Sequence, residues 1–321
     1  MKTFAPDTPM ADLLEANYRL LSILSRLGME GAFGERTIGE ECAAFGFDAG
    51  TFILICNVYS HKDFRPSLEM LRKGSTEDIL RYLHQSHDHY LNRALVAIAS
   101  ALETLISPCS DSQKRVIWKF FSDYKAELDK HFAYEEGEVI PYVRALLRGS
   151  RSSAFSIDRF EENHSNIDET LSDLKSLIMK SLPSVCEDAQ RVRLLNYLFS
   201  LQDDLKCHTR IEDEVLVPMV RLIENPSSAG EPEGGERIEE GVKREVNGGV
   251  KEILSLREKE ILISVAQGLL NKEIADRHNI SINTVITHRK NITRKTGIKT
   301  VPGLTVYALL NNLLEIKDIP Q

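Results

Sequence analysis

His131-Phe-Ala-Tyr-Glu135-Glu-Gly-Glu-Val-Ile-Pro141-Tyr-Val-Arg144 returns later in the chain as His208-Thr-Arg-Ile-Glu212-Asp-Glu-Val-Leu-Val-Pro218-Met-Val-Arg221. In both copies His and Glu are four apart, Pro follows ten residues after the His, and Val-Arg closes the phrase. On a helix, residues i and i+4 lie nearly one above the other. Each copy therefore presents an imidazole and a carboxylate from one face. Two such helices facing each other would bring two His and two Glu to one point, a layout for two metal ions.

Around this repeat the composition is that of a soluble globular protein, with 42% hydrophobic and 27% charged residues in 321. That length accommodates two or three domains. No apolar run reaches the roughly 20 residues of a membrane helix. The opening Met-Lys-Thr-Phe-Ala-Pro-Asp-Thr has no apolar signal core, so a cytoplasmic protein without membrane association is expected. Cys42, Cys56, Cys109, Cys186 and Cys207 form no CxxC pair and read as reduced thiols. Cys207 adjoins His208, but neighbouring helical residues point about 100° apart. The net charge of −8 is unevenly spread: Ser281 to Lys299 holds Arg289, Lys290, Arg294, Lys295 and Lys299 and no acid. Local sign matters more than the total for a charged ligand.

Residues 224–249 are rich in Gly, Pro, Ser and Glu and read as a flexible acidic linker. Before it, residues 76–223 carry four long amphipathic patterns, about Glu77 to Ile106, Ser112 to Leu147, Ile157 to Leu182 and Asp188 to Ile223. Short polar breaks separate them, as in an up-down bundle. Pro141 and Pro218 lie inside the second and fourth, where kinks or helix ends are expected. In residues 1–75, Ala11 to Leu27 reads as an amphipathic helix and two shorter helices follow. Phe52 to Val58 is compatible with a helix or a buried strand.

Each bundle helix brings histidine: Leu83-His84-Gln-Ser-His87-Asp-His89, His131 with Glu135, Asn163-His164-Ser, and His208 with Glu212. Imidazoles with carboxylates suit iron or manganese, whereas a closed zinc site would be expected to draw on Cys. Two His–Glu pairs and two further His make six ligands, leaving coordination positions open for a small molecule.

Residues 76–223 resemble the hemerythrin-like (HHE) cation-binding domain. More narrowly they resemble the di-iron iron–sulfur-cluster repair proteins of the RIC/ScdA type, which place HxxxE on the second and fourth helices. The resemblance implies two non-haem iron ions, oxo- or hydroxo-bridged and shared by Glu135 and Glu212, with manganese as the alternative. It implies His84, His131, Glu135, His164, His208 and Glu212 as ligands. His84 is favoured on the first helix by its place after Tyr82-Leu83, and His87 is the alternate on nearly the same face. Residues 1–75 resemble the small N-terminal domain of those proteins. Its paired cysteines would fall near Gly31-Ala-Phe-Gly34, where none stands, and this weakens a thiol-based repair reading.

After the linker, Ser255 with Glu258 is a capping box opening a helix. Gly268 ends it, Asn271 to His278 forms a second helix, and Asn279-Ile280 makes the turn. Ser281 caps a third helix reaching about Thr296, with Gly297 as its stop. Two short helices and a tight turn, the second basic outside, form a helix-turn-helix. Val285 and Ile292 face the core. Residues 250–317 resemble the LuxR-type domain at Arg257-Glu258-x-Glu260, Gly268, Asn271-Lys-Glu-Ile-Ala275, Ile280-Ser281, Thr284-Val285 and His288. The resemblance implies Ile286, Thr287 and Lys290 as base readers and Lys272, Ser281, Thr284, Arg294 and Lys295 as phosphate contacts. Asn283 and Asn291 complete the outward face.

The expected fold is all-α: a four-helix hemerythrin-like bundle, a small N-terminal helical domain and a C-terminal LuxR-type helix-turn-helix domain. The expected function is non-enzymatic, a transcriptional regulator sensing oxygen, nitric oxide, peroxide or redox state through a di-iron centre. Its expected partners are promoter DNA, a second copy of the chain and RNA polymerase. The alternative is an iron–sulfur repair protein with an appended DNA-binding domain. Storage gives no reason for the helix-turn-helix, and no βαβ receiver pattern precedes the linker.

Overall fold

The computed structural model describes residues 4–29, 34–150, 156, 157, 160, 167–225 and 254–318. His164, residues 31–33 of the stretch where paired cysteines were sought, and all of the linker beyond Asn225 lie outside them. Among the described residues the fold is all-α, with one isolated bridge between Pro9 and Thr37. No single helix among them is long and apolar enough to cross a membrane.

The chain divides into two compact units. The first comprises Met1–Leu102, Lys125–Ser165 and Asn196–Ser228. The second comprises Glu103–Tyr124, Asn166–Leu195 and Ala229–Gln321.

In the first unit the N-terminal helices are α1 (Met10–Ala16), α2 (Leu20–Arg26), α3 (Ile38–Ala44), α4 (Ala49–Ser60) and α5 (Leu68–Lys73). The single helix expected over Ala11 to Leu27 is broken at Asn17, whose side-chain Nδ2 donates to Ser60 Oγ at 3.1 Å. Thr37 and Glu40 form a capping box at α3. The ambiguous run at Phe52 is helical: Asp48 caps α4, and Thr51 to Val58 are all buried. A helix buried on every side loses the periodicity that identifies it in sequence.

The first long pattern becomes α6 (Thr76–His89), a π-helical turn (Tyr90–Ala94) and α7 (Leu95–Ile106). The second becomes α8 (Asp111–Tyr134), a π turn (Glu135–Val139) and α9 (Ile140–Leu147). The third is described as α10 (Ile167–Lys180), and the fourth as α11 (Asp188–Ile211), a π turn (Glu212–Leu216) and α12 (Val217–Glu224). Of the kinks or helix ends expected at Pro141 and Pro218, the structure shows a π turn directly before each proline, with an α-helix carrying the proline in its first turn. A proline removes its own N–H and crowds the carbonyl four residues back. The wide π turn closing just before each proline accommodates both. Leu13, Ile23, Phe52 and Ile55 pack with Leu83, Val143, Val215 and Val220 in one core of the first unit.

In the second unit α13 (Leu256–Ala266), α14 (Asn271–His278), α15 (Ile282–Thr296) and α16 (Val301–Leu310) form the C-terminal module. Ser255 and Glu258 make the expected capping box. Asn279 takes the left-handed conformation at φ 51°, and Gly297 does so at φ 74°. Val285 and Ile292 are buried with Ile261, Leu262 and Ile274. In the same unit the thiols of Cys109 and Cys186 touch at 3.4 Å.

Candidate metal centre and nucleic-acid interface

Buried charge is the signal in the first unit. Glu135, His208 and Glu212 are each no more than 2% exposed, and His87 is 3% exposed. One donor atom from each lies within 4.8 Å of the others. Donors on opposite sides of one ion sit about 4.2 Å apart, twice a bond of ~2.1 Å. The cluster is therefore close to the size of a coordination sphere.

Glu135 lies between two imidazoles: its Oε2 is 3.0 Å from His87 Nε2, and its Oε1 is 2.9 Å from His131 Nε2. His208 Nε2 is 3.2 Å from Glu212 Oε1 and 3.2 Å from His87 Nε2. Neither buried oxygen of Glu135 has a hydrogen-bond donor aligned on it. Buried carboxylates without such partners are costly unless a cation is bound. The donor set thus fits a metal.

His87 is oriented from behind. Its Nδ1–H donates to Glu136 Oε1 at 2.6 Å, which leaves Nε2 facing the cluster. Such an outer carboxylate fixes the ring and the tautomer of a metal-binding His. Burial works against charge on His87, yet Glu135, Glu136 and Glu212 together raise it to about 9. Glu136 is held below the ordinary carboxylate range, against its burial, by His87 and His84.

On the first helix the structure brings His87, the alternate, to the cluster and leaves His84 outside it. The His84 side chain is 63% exposed, and its Nδ1 lies 2.9 Å from Glu136 Oε2. His84 is one turn too early to reach the cluster, and His87 is the residue that reaches it. His89 lies outside the cluster, and burial with the nearby Arg26 and Arg93 depresses it to about 4. Cys207 is not in the cluster. It lines a cavity of about 690 Å³ together with Tyr59, His89, Tyr90 and Asp204.

Sequence reasoning missed the walls of this centre. Phe132 stacks on His87 at 4.4 Å, and the Tyr90 ring stands edge-on to His208 at 5.5 Å. Tyr90 receives a hydrogen bond from Arg26 Nη1 at 3.3 Å, and the same guanidinium pairs with Asp204. Tyr59 donates to Asp204 and binds the Tyr82 hydroxyl at 2.6 Å. This buried polar network ties α2 and α4 to the helices that carry the cluster. A buried Arg followed by three separate Tyr leaves no spacing to recognise.

In the second unit, Lys272, Ser281, Asn283, Thr284, Ile286, Thr287, Lys290 and Arg294 are exposed, and Asn291 is half-buried. Ser281 Oγ accepts from the Thr284 amide at 3.1 Å, so it serves first as a helix cap. Lys295 is half-buried, with its ammonium 2.8 Å from Glu258 Oε2. It braces α15 against the start of α13.

The family described as hemerythrin HHE cation binding domain matches residues 75–220. Bacterial regulatory proteins of the luxR family match residues 252–308. Among curated proteins, the oxygen regulatory protein NreC of Staphylococcus aureus strains JH9, JH1 and Mu3 is 49% identical over 63 residues. That stretch is 20% of this chain and 29% of each relative, so the chain spans under a third of the relatives it matches. One polypeptide therefore joins a hemerythrin HHE cation binding domain to a luxR-family domain of bacterial regulatory proteins.

Proposed function

We propose that this chain is a DNA-binding transcriptional regulator whose hemerythrin domain senses oxygen, nitric oxide or redox state through two iron ions. The observation that carries the reading is Glu135. Its two buried oxygens face His87 on one side and His131 on the other with no aligned donor. A carboxylate so placed would hold metal together with the imidazoles on either side. His87, His131, Glu135, His208 and Glu212 would hold the metal, with His164 as a sixth ligand. Iron bound there would supply a redox-active centre with open positions for a small ligand.

This chain's residues would exclude water with Phe132 and Tyr90, orient His87 through Glu136, and expose the α15 face for the major groove. The regulator reading also draws on the luxR-family match and on the name of the NreC relatives. A second copy of the chain is the expected partner on paired half-sites. RNA polymerase contact and cytoplasmic residence belong to the same proposal.

The test is iron quantification with optical spectra of the reduced and oxidised full chain, and duplex binding in both states. Two irons per chain and oxidation-dependent binding, lost in His131→Ala and His208→Ala, are expected. Material that rejects iron on anaerobic titration overturns the sensing function.

A further inference from the structure

Two of the five thiols meet. Cys109 stands in the connection between α7 and α8, and Cys186 in the connection between α10 and α11, both within the second unit. They are 77 residues apart in sequence, yet their sulfurs lie 3.4 Å apart. A disulfide bond of ~2.05 Å needs them only about 1.4 Å closer. Each ends a tight turn: the Cys109 amide donates to the Ile106 carbonyl at 2.9 Å, and the Cys186 amide to the Pro183 carbonyl at 3.1 Å. Connecting turns yield by such distances at lower cost than packed helices do.

The surroundings favour one order of reaction. Cys109 is 6% exposed and Cys186 2%, so a small oxidant meets Cys109 first. Lys114 and Arg191 lie close enough to favour a thiolate there. Arg191 also fastens the other connection, its Nη2 donating to the Pro183 and Cys186 carbonyls at 3.3 and 3.5 Å. Burial and the Cys186 thiol outweigh both cations and push the Cys109 thiol up to about 12. Little thiolate exists at neutral pH, so attack on an oxidant is slow. The same want of thiolate stabilisation makes the finished bond hard to reduce, since a thiol of high pKa is a poor leaving group. The pair suits a lasting oxidation and not a rapid pulse.

We propose that Cys109 and Cys186 are a modification site, a dithiol that a hydroperoxide converts to a disulfide stapling the α7–α8 and α10–α11 connections together. In the first step Cys109 Sγ attacks one peroxide oxygen, the O–O bond breaks, and the thiol proton leaves with the other oxygen as alcohol or water. Cys109 is then a sulfenic acid. In the second step Cys186 Sγ attacks Cys109 Sγ, the S–O bond breaks, and the hydroxyl departs with the Cys186 proton as water. The two thiols lose two electrons and the peroxide gains them. The staple forms without the His–Glu cluster and is independent of what that cluster holds.

A disulfide across 77 residues restricts the unfolded chain and so raises the melting midpoint. The test treats full-length protein with hydrogen peroxide, before and after a chelator has stripped its metal, then blocks free thiols and maps the peptides by mass spectrometry. Expected are a cross-linked Cys109–Cys186 peptide in both samples, reversed by dithiothreitol, and a melting midpoint raised by at least about 5 °C. Cys109→Ser and Cys186→Ser should each abolish that shift. Separate blocking of both thiols after peroxide, or a sulfinic acid at Cys109 without the cross-link, overturns the proposal. A cross-link confined to the sample that keeps its metal overturns the independence from the cluster, and one that leaves the midpoint unmoved overturns the staple. The peptide map needs only the wild-type chain, so the question is answered even if a serine variant fails to fold.

Discussion

Replacing His87, Glu136 and His84 one at a time should separate a residue facing the cluster from one behind it and one outside it. His87 is 3% exposed, with Nε2 3.0 Å from Glu135 and 3.2 Å from His208. His87→Ala removes a donor and opens a hole beside Phe132. A lost outer-sphere partner costs about 10- to 100-fold in metal affinity, so loss of a facing imidazole should exceed 100-fold, or about 2.7 kcal/mol. Glu136→Gln keeps one acceptor for His87 Nδ1 and should cost near tenfold. His84→Ala removes only an ion pair whose His side chain is 63% exposed, and about twofold or less is expected. The assay is anaerobic iron(II) loading in competition with a chromogenic chelator, with circular dichroism to confirm folding. If His84→Ala releases as much iron as His87→Ala, or His87→Ala still holds two ions, the assignment of His87 is wrong.

Three further outcomes are expected. Asp204→Ala strands the Arg26 guanidinium, whose side chain is 0% exposed, and should lower stability in urea titration by about 3 kcal/mol, the low end for a broken buried pair. Lys290→Ala should cost about 1–3 kcal/mol on a specific site and relax its sequence preference, while Lys272→Ala weakens all duplexes evenly and reduces the salt slope by about one. Iron at a thousandfold above its dissociation constant should add about 4 kcal/mol to folding, read as a raised melting midpoint that a chelator reverses.

Much of the site was legible because its chemistry has a period. His131 with Glu135, and His208 with Glu212, declare one helix face by their spacing alone, and the structure brings His87, Glu135, His208 and Glu212 together with His131 beside them. The first-helix residue was not legible. His84 and His87 are three apart and share a face, and only the depth of the cluster along the helix separates them. Glu136 was hidden by its neighbour Glu135, since adjacent acids read as a solvated pair. The recognition helix announced itself through Ser281, Asn279 and Gly297, whose capping and left-handed roles are local. The buried Asp173, which accepts from the Lys299 and Thr300 amides at 2.8 Å, could not be found this way, because those partners are remote in sequence and nothing local demands a buried acid.

The π turns carry a consequence for the numbering of the chain itself. Each takes in one more residue per hydrogen-bonded ring than an α-helical turn, so the numbering after Glu135 and Glu212 runs one residue ahead of a regular helix. Deleting one residue, Gly137 for instance, would let the helix close up regularly. Val139 and Val143 would keep their place in the core, because the shortened turn absorbs the one residue that is lost. Each half of the repeat thus carries one spare residue between carboxylate and proline, held in the widened turn without turning the core beyond it.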